Sequence, residues 1–227
     1  MDRRERRHSE TREEILRAAR ALVVEKGAGD LSLREVAART QFTPPALYRY
    51  FPGGKEEVLR AIASECLEQL GAHLRRVPDG LPADERLIEL GLVYLEFGRE
   101  HPEELGLIFD SIAALESLDV ADPDESVFAP TSLFGIVDRA IRDGVESAGL
   151  KAQSEDDIVL MWHGAWAFLH GIVAVERVHP HHHDLFRARA RDLLRAYLNG
   201  LMTDWAGGVA SGRPSREDDC DARGHAR

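Results

Sequence analysis

Residues 43–51, with the sequence TPPALYRYF, carry side chains that could bind an anion. Thr43, Tyr48 and Tyr50 offer hydroxyl groups, and Arg49 adds the only long polar donor nearby. Hydroxyl and guanidinium groups donate hydrogen bonds to carboxylate and phosphate oxygens. The segment could therefore form part of an anion-binding surface. The helices around it must hold so short a stretch in place.

The paired prolines Pro44 and Pro45 predict the start of a helix rather than its end. A residue before proline favours extended geometry, which is the geometry that an N-cap residue such as Thr43 needs. Prolines in the first helical turn cost little, because the backbone N–H groups there have no partner within the helix. We therefore expect a short helix capped by Thr43, preceded by a tight turn at residues 40–42.

A second group with possible chemistry is the histidine-rich stretch HPHHHD, residues 179–184. Adjacent histidines on a loop rarely converge on one metal ion without a scaffold, and no second cluster of ligands is evident in the sequence. We therefore predict no metal site, although a small-molecule- or metal-binding protein that uses residues 179–183 is an alternative. The chain also shows no nucleophile motif, phosphate loop or carboxylate pair, so we expect neither an enzyme nor a cofactor.

The charge of the chain is unevenly distributed. The net charge is −11, yet residues 1–60 hold 13 Lys and Arg against 10 Asp and Glu, a net charge of +3, and the rest carries −14. This asymmetry indicates an anion-binding N-terminal part on an acidic body. The charged N-terminus lacks an apolar run and the longest apolar stretch is too short to span a membrane, so we expect a cytoplasmic protein with no membrane partner.

Apolar spacing indicates helices along the chain and no strands. Two capping boxes, Thr11 with Glu14 and Ser32 with Glu35, predict helix starts, and glycines and prolines predict the ends. The predicted helices are 11–26, two short ones that start near 32 and 43, and then 55–76, 83–100, 102–118, 126–148, 154–178 and 184–205.

Two short helices joined by a tight turn, after a longer helix, form a helix-turn-helix. Residues 9–62, with their helix lengths, caps and L-Y-x-x-F core at 47–51, resemble the DNA-binding domain of the TetR family of transcription regulators. The resemblance implies an all-α protein, dimeric, whose second short helix enters the major groove of double-stranded DNA. It also implies that Leu47 and Phe51 are core residues.

The resemblance assigns a role to each exposed residue of this segment. The base-facing positions are Pro44, Pro45 and Ala46, none of which donates a hydrogen bond from its side chain. These residues suit thymine methyl groups and groove shape, with Arg49 as the nearby polar donor. The residues at phosphate-contacting positions are Ser32, Thr43, Tyr48 and Lys55.

This sequence departs from the TetR pattern at several points. Tyr50 stands where the family commonly has histidine, and its hydroxyl could still reach phosphate. Gln41 replaces the usual turn glycine, which predicts a strained left-handed backbone. The loop before Lys55 is one residue longer than usual, which changes the reach of this lysine. The arginines at 3, 4, 6 and 7 predict either a basic arm along the minor groove or phosphates, or a solvated terminus.

Residues 166–176, WAFLHGIVAVE, resemble the C-terminal domain of one TetR branch, which is marked by Trp, His and Gly in this arrangement. This implies a domain that binds a small molecule and forms a homodimer through its last two helices, here near 154–178 and 184–205. A stripe of small residues, Gly164, Ala167 and Gly171, permits close helix approach there. The pocket candidates, which an ordinary aromatic core would also explain, are Phe97, Phe109, Phe134, Trp162, His163 and Trp166.

These observations predict four regions. They are a flexible basic arm at 1–10, a helix-turn-helix domain at 11–54, a helical ligand-binding and dimerisation domain at 55–206, and a disordered tail at 207–227. The resemblance implies a repressor that a hydrophobic small molecule releases from a pseudo-palindromic operator. The alternative is a constitutive DNA binder without an inducer, which a filled interior would favour.

Overall fold

The computed structural model describes residues 2–108, 132–147, 149–152 and 154–203, and every regular element within these ranges is helical. The all-α prediction is therefore confirmed. The helices are α1 Arg3–Lys26, α2 Leu33–Arg39, α3 Pro44–Leu47, α4 Gly54–Leu74, α5 Ala83–Glu100, α6 at 102–108, α7 Leu133–Ser147, α8 Glu155–Val178 and α9 His183–Thr203, with a 3₁₀ turn at Pro180–His182 before α9. The predicted stretches 109–118 and 126–131, and the tail from 207, lie outside the described residues.

The start of α1 corrects the sequence prediction. The predicted capping box at Thr11 is wrong, because its hydroxyl donates to the carbonyl of Arg7, 2.9 Å away, in the middle of the helix. The capping box is formed instead by Asp2 and Glu5. The first two turns are polar but rich in arginine and glutamate, which favour helix without leaving an apolar pattern. Residues 3–10 are thus part of a continuous helix rather than a flexible arm.

Ser32 precedes α2 in extended geometry, as an N-cap residue should, but its side chain makes no cap hydrogen bond. The second predicted capping box is therefore also wrong. Glu35 turns away from it and accepts from Nζ of Lys26 at 2.7 Å, so this carboxylate joins α2 to the end of α1.

The N-terminal core forms where one face of α1 meets α2, α3 and α4. Leu47 and Phe51 are each 1% exposed, which confirms their predicted core role. The other fully buried members of this part of the core are Ile15, Leu16, Ala19, Leu22, Val23, Val36, Ala37, Val58 and Ile62. A helix of four residues is not stable by itself, so α3 depends on the burial of Leu47 at its end and Phe51 just after it.

The turn between α2 and α3 contains the predicted strain. Gln41 has φ of 57°, the one positive φ of a non-glycine residue within the described ranges. A left-handed backbone brings the side-chain Cβ close to the following carbonyl oxygen, so a residue other than glycine is destabilised there. The prediction of left-handed backbone at this position is confirmed.

We expect Gln41→Gly to raise the free energy of unfolding by about 1 kcal/mol, because glycine has no Cβ to strain. Urea denaturation followed by circular dichroism measures this change. Ala38→Gly is the matched control at an exposed interior position of α2, and it should lower the free energy of unfolding by about 0.5–1 kcal/mol. A destabilised Gln41→Gly protein would show that the turn is not strained.

The C-terminal part is built around α5, which contacts α4, α7, α8 and α9. Two glycines let neighbouring helices approach it closely. A Cβ at Gly98 would lie 2.8 Å from Cγ2 of Val173, and a Cβ at Gly91 would lie 2.9 Å from Cδ2 of Leu194. Both distances are too short for a real side chain, so α8 and α9 pack directly on the backbone of α5.

Ion pairs fix these helices in register. Arg99 on α5 and Glu176 on α8 form a bidentate pair of 2.8 and 2.7 Å, and their side chains are only 9% and 3% exposed. Such a pair tolerates burial because each group satisfies the other's hydrogen bonds. At the surface, arginines of α9 also pair with carboxylates of α5: Arg187 with Glu96, Arg191 with Glu85 and Glu89, and Arg195 with Glu85. These pairs are exposed, so each contributes less to stability than the buried pair.

Helix α8 is apolar yet incompletely covered. Leu160 and Val178 are 54% and 73% exposed, and Ala167, Gly171 and Ala174 are exposed between them. Within the described ranges it is the one helix long and apolar enough to cross a membrane, so the expectation that this stretch is too short was wrong. The finding is weak evidence for a membrane span, because core helices of soluble proteins meet the same criterion. The uncovered side of α8 is called the α8 face below.

Candidate nucleic-acid interface and ligand cavity

Two hydrogen bonds hold the turn of the helix-turn-helix against the end of α2. The hydroxyl of Thr40 donates to the carbonyl of Val36 at 2.9 Å, and the N–H of Phe42 donates to the carbonyl of Ala37 at 2.9 Å. Helix α3 then starts with Pro44 and Pro45 in its first turn, as predicted. Thr43 precedes it in the predicted extended geometry, but its side chain makes no cap hydrogen bond.

The side chains of the predicted DNA-contacting segment lie largely outside the core. Thr43, Pro44, Pro45, Tyr48 and Arg49 are exposed. Ala46, Tyr50, Ser32 and Lys55 are partly buried. Most of these residues are therefore accessible, at and beside α3, and their contacts with DNA stay a prediction.

Tyr48 is positioned by a glycine at the start of α4. Gly54 has φ of 65°, and a Cβ built on it would lie 3.3 Å from Cε1 of Tyr48. The absent side chain lets the tyrosine ring lie against the helix start while 52% of the residue remains exposed. The phenol is therefore held by packing at its ring and is available at its hydroxyl.

Lys55 was expected to contact phosphate, but in the structure its ammonium group contacts another part of the chain. Its Nζ donates to the carbonyl of Gly29, 2.6 Å away, in the loop between α1 and α2. An ammonium group has three donors, so a phosphate contact by Lys55 stays a prediction.

A basic ridge is defined as Arg3, Arg4, Arg6 and Arg7 on the first two turns of α1. All four residues are exposed, and none makes an ion pair within the described residues. The next turns of α1 contact the segment that follows α3: His8 lies 4.7 Å from Tyr50, and the guanidinium carbon of Arg12 lies 4.8 Å from the centre of the Phe51 ring. The ridge is therefore on the same helix as two residues that pack beside the predicted DNA-contacting segment.

Two adjoining cavities lie in the C-terminal part. The first has a volume of ≈ 90 Å³ and is enclosed by residues of α4, α5, α7, α8 and α9, together with Leu150. The second has a volume of ≈ 70 Å³ and lies between α4, α5, α6, α7 and α8. Both are lined by Leu74, Tyr94, Val137, Ala165 and Leu169. No charged side chain of the described residues lines either cavity, and the two adjoining cavities together are called the apolar chamber below.

Of the predicted pocket residues, three line the chamber and the other described ones do not. Phe134, Trp162 and Trp166 line the second cavity. Phe97 does not: it is buried between His73 and His101, with ring distances of 5.6 and 4.5 Å.

His163 also lies outside the chamber. It is exposed, and its Nδ1–H donates to the carbonyl of Val159 at 2.8 Å. It follows Trp162 in the helix, so its side chain lies about 100° around the helix axis from that of Trp162. Phe109 lies outside the described residues. Sequence reasoning missed Tyr94, because an aromatic at helical spacing looks like ordinary core.

A chain of hydrogen bonds satisfies most polar groups at the chamber. The hydroxyl of Tyr94 lies 3.3 Å from Nδ1 of His170, and Trp166 donates to that hydroxyl. Burial raises the pKa of Tyr94 and lowers the pKa of His170, so both are neutral near pH 7. Trp162 differs, because its Nε1 is buried and has no hydrogen-bond partner within the described ranges.

The rings of the histidine-rich segment lie close to one another. His181 and His182 have ring centres 4.2 Å apart, and His179 lies 5.7 Å from His181. Among the residues that the structure describes, no three His, Cys, Asp or Glu side chains converge so as to hold an ion.

Comparison with known sequences now decides the family. The family described as bacterial regulatory proteins, tetR family, matches residues 15–62, which contain the helix-turn-helix. The Tetracyclin repressor-like C-terminal domain matches residues 87–201, which contain most of the chamber and the α8 face. The chain belongs to the TetR family. It is thus a DNA-binding transcription regulator, and the resemblance inferred from its sequence is confirmed.

Solved structures show the same TetR architecture over most of the chain. A regulator from Shewanella sp. PV-4 is 19% identical, with a TM-score of 0.58 over 82% of this chain and 95% of the other. PfmR from Thermus thermophilus is 22% identical, with a TM-score of 0.54 over 83% and 96%. SmeT, solved as a complex with triclosan, is 26% identical, with a TM-score of 0.53 over 82% and 90%. A comparison with curated proteins finds no match.

Proposed function

We propose that this TetR-family regulator is a homodimeric repressor that leaves a pseudo-palindromic operator when a small molecule fills the apolar chamber. The observation that carries the proposal is the position of α4. Its first residue, Gly54, packs against Tyr48 at the DNA surface, and its last turns line the chamber through Leu67, Leu70 and Leu74. A single helix therefore connects the two sites.

DNA binding in this proposal combines two kinds of contact. Pro44, Pro45 and Ala46 meet bases through apolar contact and shape, with Arg49 as the adjacent donor. The hydroxyls of Ser32, Thr43, Tyr48 and Tyr50, together with Lys55, contact phosphates. These phosphate contacts hold the short α3 in the groove but carry no base identity.

The α8 face supplies the proposed dimer contact. Its exposed Leu160, Ala167, Gly171 and Val178 follow each other at intervals of seven, four and seven residues, so they share one side of the helix. A Cβ on Gly171 would meet no other part of the described chain within 4 Å, which leaves room for a partner helix. Gly164 is different, because a Cβ there would lie 2.9 Å from the Tyr197 hydroxyl of α9. Part of the predicted small-residue stripe thus serves packing within one chain.

Dimerisation explains the form of the operator. Two copies related by a two-fold axis would place their α3 helices in successive major grooves, about 34–36 Å apart. The acidic remainder of the chain faces away from DNA, and the protein acts in the cytoplasm, where the chromosome of a bacterium lies.

Release from DNA requires that the ligand bind one conformation of the protein more tightly than the other. A molecule that fills the chamber between α4 and α8 shifts α4 only if it binds that arrangement more tightly than the DNA-bound one. The chamber is empty space in an otherwise packed interior, which supports a ligand-responsive repressor over a constitutive binder with a filled core.

Selection of bound sequences from random DNA at two salt concentrations tests the proposal. We expect a two-fold symmetric motif, and an affinity that falls as salt rises because phosphate contacts release counterions. Enrichment of a single, asymmetric half-site would contradict the dimer. A motif whose affinity is unchanged by every molecule that enters the chamber would contradict the release step.

Two substitutions separate phosphate contacts from base contacts. Tyr48→Phe keeps the ring on Gly54 but removes the hydroxyl, so we expect affinity to fall about 3- to 10-fold on all sequences alike. Ala46→Gly removes a methyl group at the base-facing surface, and it should instead change preference at particular base pairs. Binding to a library of single-base variants of the selected site measures both. A Tyr48→Phe protein with altered preference and unchanged affinity would contradict the phosphate role.

A further inference from the structure

We infer that α1 contacts the bound DNA directly, and that Arg12 and His8, together with Arg4 of the basic ridge, hold one backbone phosphate. The inference rests on DNA binding, which membership of the TetR family shows, and not on the proposed dimer or the proposed release by a ligand. It goes further than the DNA contacts proposed above, because all of those come from residues 32–55.

Arg12 is a partly buried cation that has no anionic partner within the described residues. Its guanidinium carbon lies 4.8 Å from the centre of the Phe51 ring, and its side chain makes no hydrogen bond or ion pair there. A guanidinium group that stacks on a ring still has its N–H groups available in its own plane. Because a charge that is partly removed from water is stabilised by a partner of opposite sign, these N–H groups suit an anion from outside the chain.

His8 and Arg4 lie on the same side of α1 as Arg12. The three residues follow one another at intervals of four, so their side chains share one face of the helix. His8 and Arg4 are exposed, and within the described residues their side chains make no hydrogen bond or ion pair. The ring of His8 lies 4.7 Å from that of Tyr50, which directly follows Arg49. This face of α1 is therefore next to the predicted DNA-contacting segment.

An open groove of ≈ 380 Å³ lies along this face, and its lining residues are Arg4, Glu5, His8, Ser9 and Arg12. Glu5 is its one carboxylate among the described residues, and it accepts from the backbone N–H of Asp2 at 2.8 Å. The hydroxyl of Ser9 donates to Glu13 at 3.3 Å. The donors that remain for a ligand are two guanidinium groups and one imidazole, and all of them suit phosphate oxygens.

A phosphate of DNA suits this groove better than a free anion does. The groove is open to solvent, so its cations would hold a small anion only weakly. Once α3 lies in the major groove, however, the duplex would present its phosphates to α1 at a high effective concentration. The whole chain carries a net charge of −11, so its affinity for DNA must depend on local cations such as these.

A phosphate scan with the full-length protein tests the inference. Duplexes of the selected sequence each carry one uncharged methylphosphonate in place of a phosphate, and fluorescence titration measures their affinities. Arg12→Gln should lower affinity for the unmodified duplex at least about 10-fold and reduce the salt slope by about 0.9 per chain. One methylphosphonate position should weaken binding by the original protein but not by this variant, and that position identifies the phosphate.

Two further variants separate this contact from folding and from net charge. His8→Phe keeps a ring on Tyr50 but removes the N–H, so it should lose about 3- to 10-fold in affinity and become insensitive at the same position. Arg17→Gln removes the same charge as Arg12→Gln from an exposed site on α1, about 140° around the helix axis from Arg12. It should keep the original pattern of sensitive phosphates. Thermal unfolding checks that each variant is folded.

Unchanged affinity in Arg12→Gln, or an unchanged pattern of sensitive phosphates in that variant, would overturn the inference. So would a loss of sensitivity at the same phosphate that Tyr48→Phe identifies, because α1 would then add no contact of its own. Equal effects of Arg17→Gln and Arg12→Gln would reduce the result to net charge and overturn it as well. A symmetric motif and release by a ligand are measured separately, so the proposed repressor does not depend on any of these outcomes.

Discussion

Gly171→Glu should sediment as a single chain and lose most of its DNA affinity. In a two-fold dimer built on the α8 face, each chain would bring a carboxylate to the same interface, close to its own copy. Placing an unpaired charge in an apolar contact costs about 3–5 kcal/mol, which raises the dimer dissociation constant at least about 100-fold. Sedimentation over a range of concentrations measures the change, and operator binding at the same concentrations shows its effect.

The fold of the single chain should tolerate this substitution. Apart from the backbone of α8 itself and the two chain neighbours, no atom of the described residues lies within 4 Å of a Cβ placed on Gly171. Glutamate also favours helix more than glycine does. Ser64→Glu is the matched control, because Ser64 is exposed on α4 and gains the same charge. A Gly171→Glu protein that remains dimeric, or a Ser64→Glu protein that dissociates as well, would exclude the α8 face as the interface.

Removing Arg4 and Arg7 together should weaken DNA binding about 10- to 100-fold at low salt and flatten its salt dependence. Each phosphate contact contributes about 0.9 to the slope of log affinity against log salt. Two arginines lost from each chain should therefore reduce the slope by about 1.8 per chain, or about 3.6 for a two-chain complex. Titration of a fluorescent operator at several salt concentrations measures both the affinity and the slope.

The control for the basic ridge removes the same charge elsewhere. Arg76 and Arg139 are also exposed, and Arg76→Ala with Arg139→Ala lowers the net charge equally. If long-range attraction alone mattered, both double variants would behave alike. An unchanged slope in the Arg4 and Arg7 variant would mean that the ridge stays in solvent when the protein is bound to DNA.

The sequence predicted the helix-turn-helix partly from local signals and partly from the resemblance to the TetR family. The proline pair favours a helix start through backbone rules that act within a few residues. The core roles of Leu47 and Phe51 and the left-handed backbone at Gln41 came from the resemblance, and the structure confirms them. The capping box at Ser32, another local signal, was wrong because its side chain makes no cap hydrogen bond.

Other features depended on partners that are distant in sequence. The bond from Lys55 to Gly29 crosses 26 residues, and nothing near the lysine indicates it. The polar start of α1 has no apolar period, so pattern reasoning began the helix too late at Thr11. The unpaired state of Trp162 is a property of the assembled interior, since only the packed helices show which of the described donors find acceptors.

The uncovered α8 face has a consequence for how much of the protein a cell must make. In the proposed dimer, when chains are scarce, the amount of the DNA-binding species follows the square of their concentration. Halving synthesis then removes about three quarters of that species. A gene under this regulator would therefore respond to small changes in the regulator's own copy number, and dilution at cell growth would act as a second signal beside any ligand.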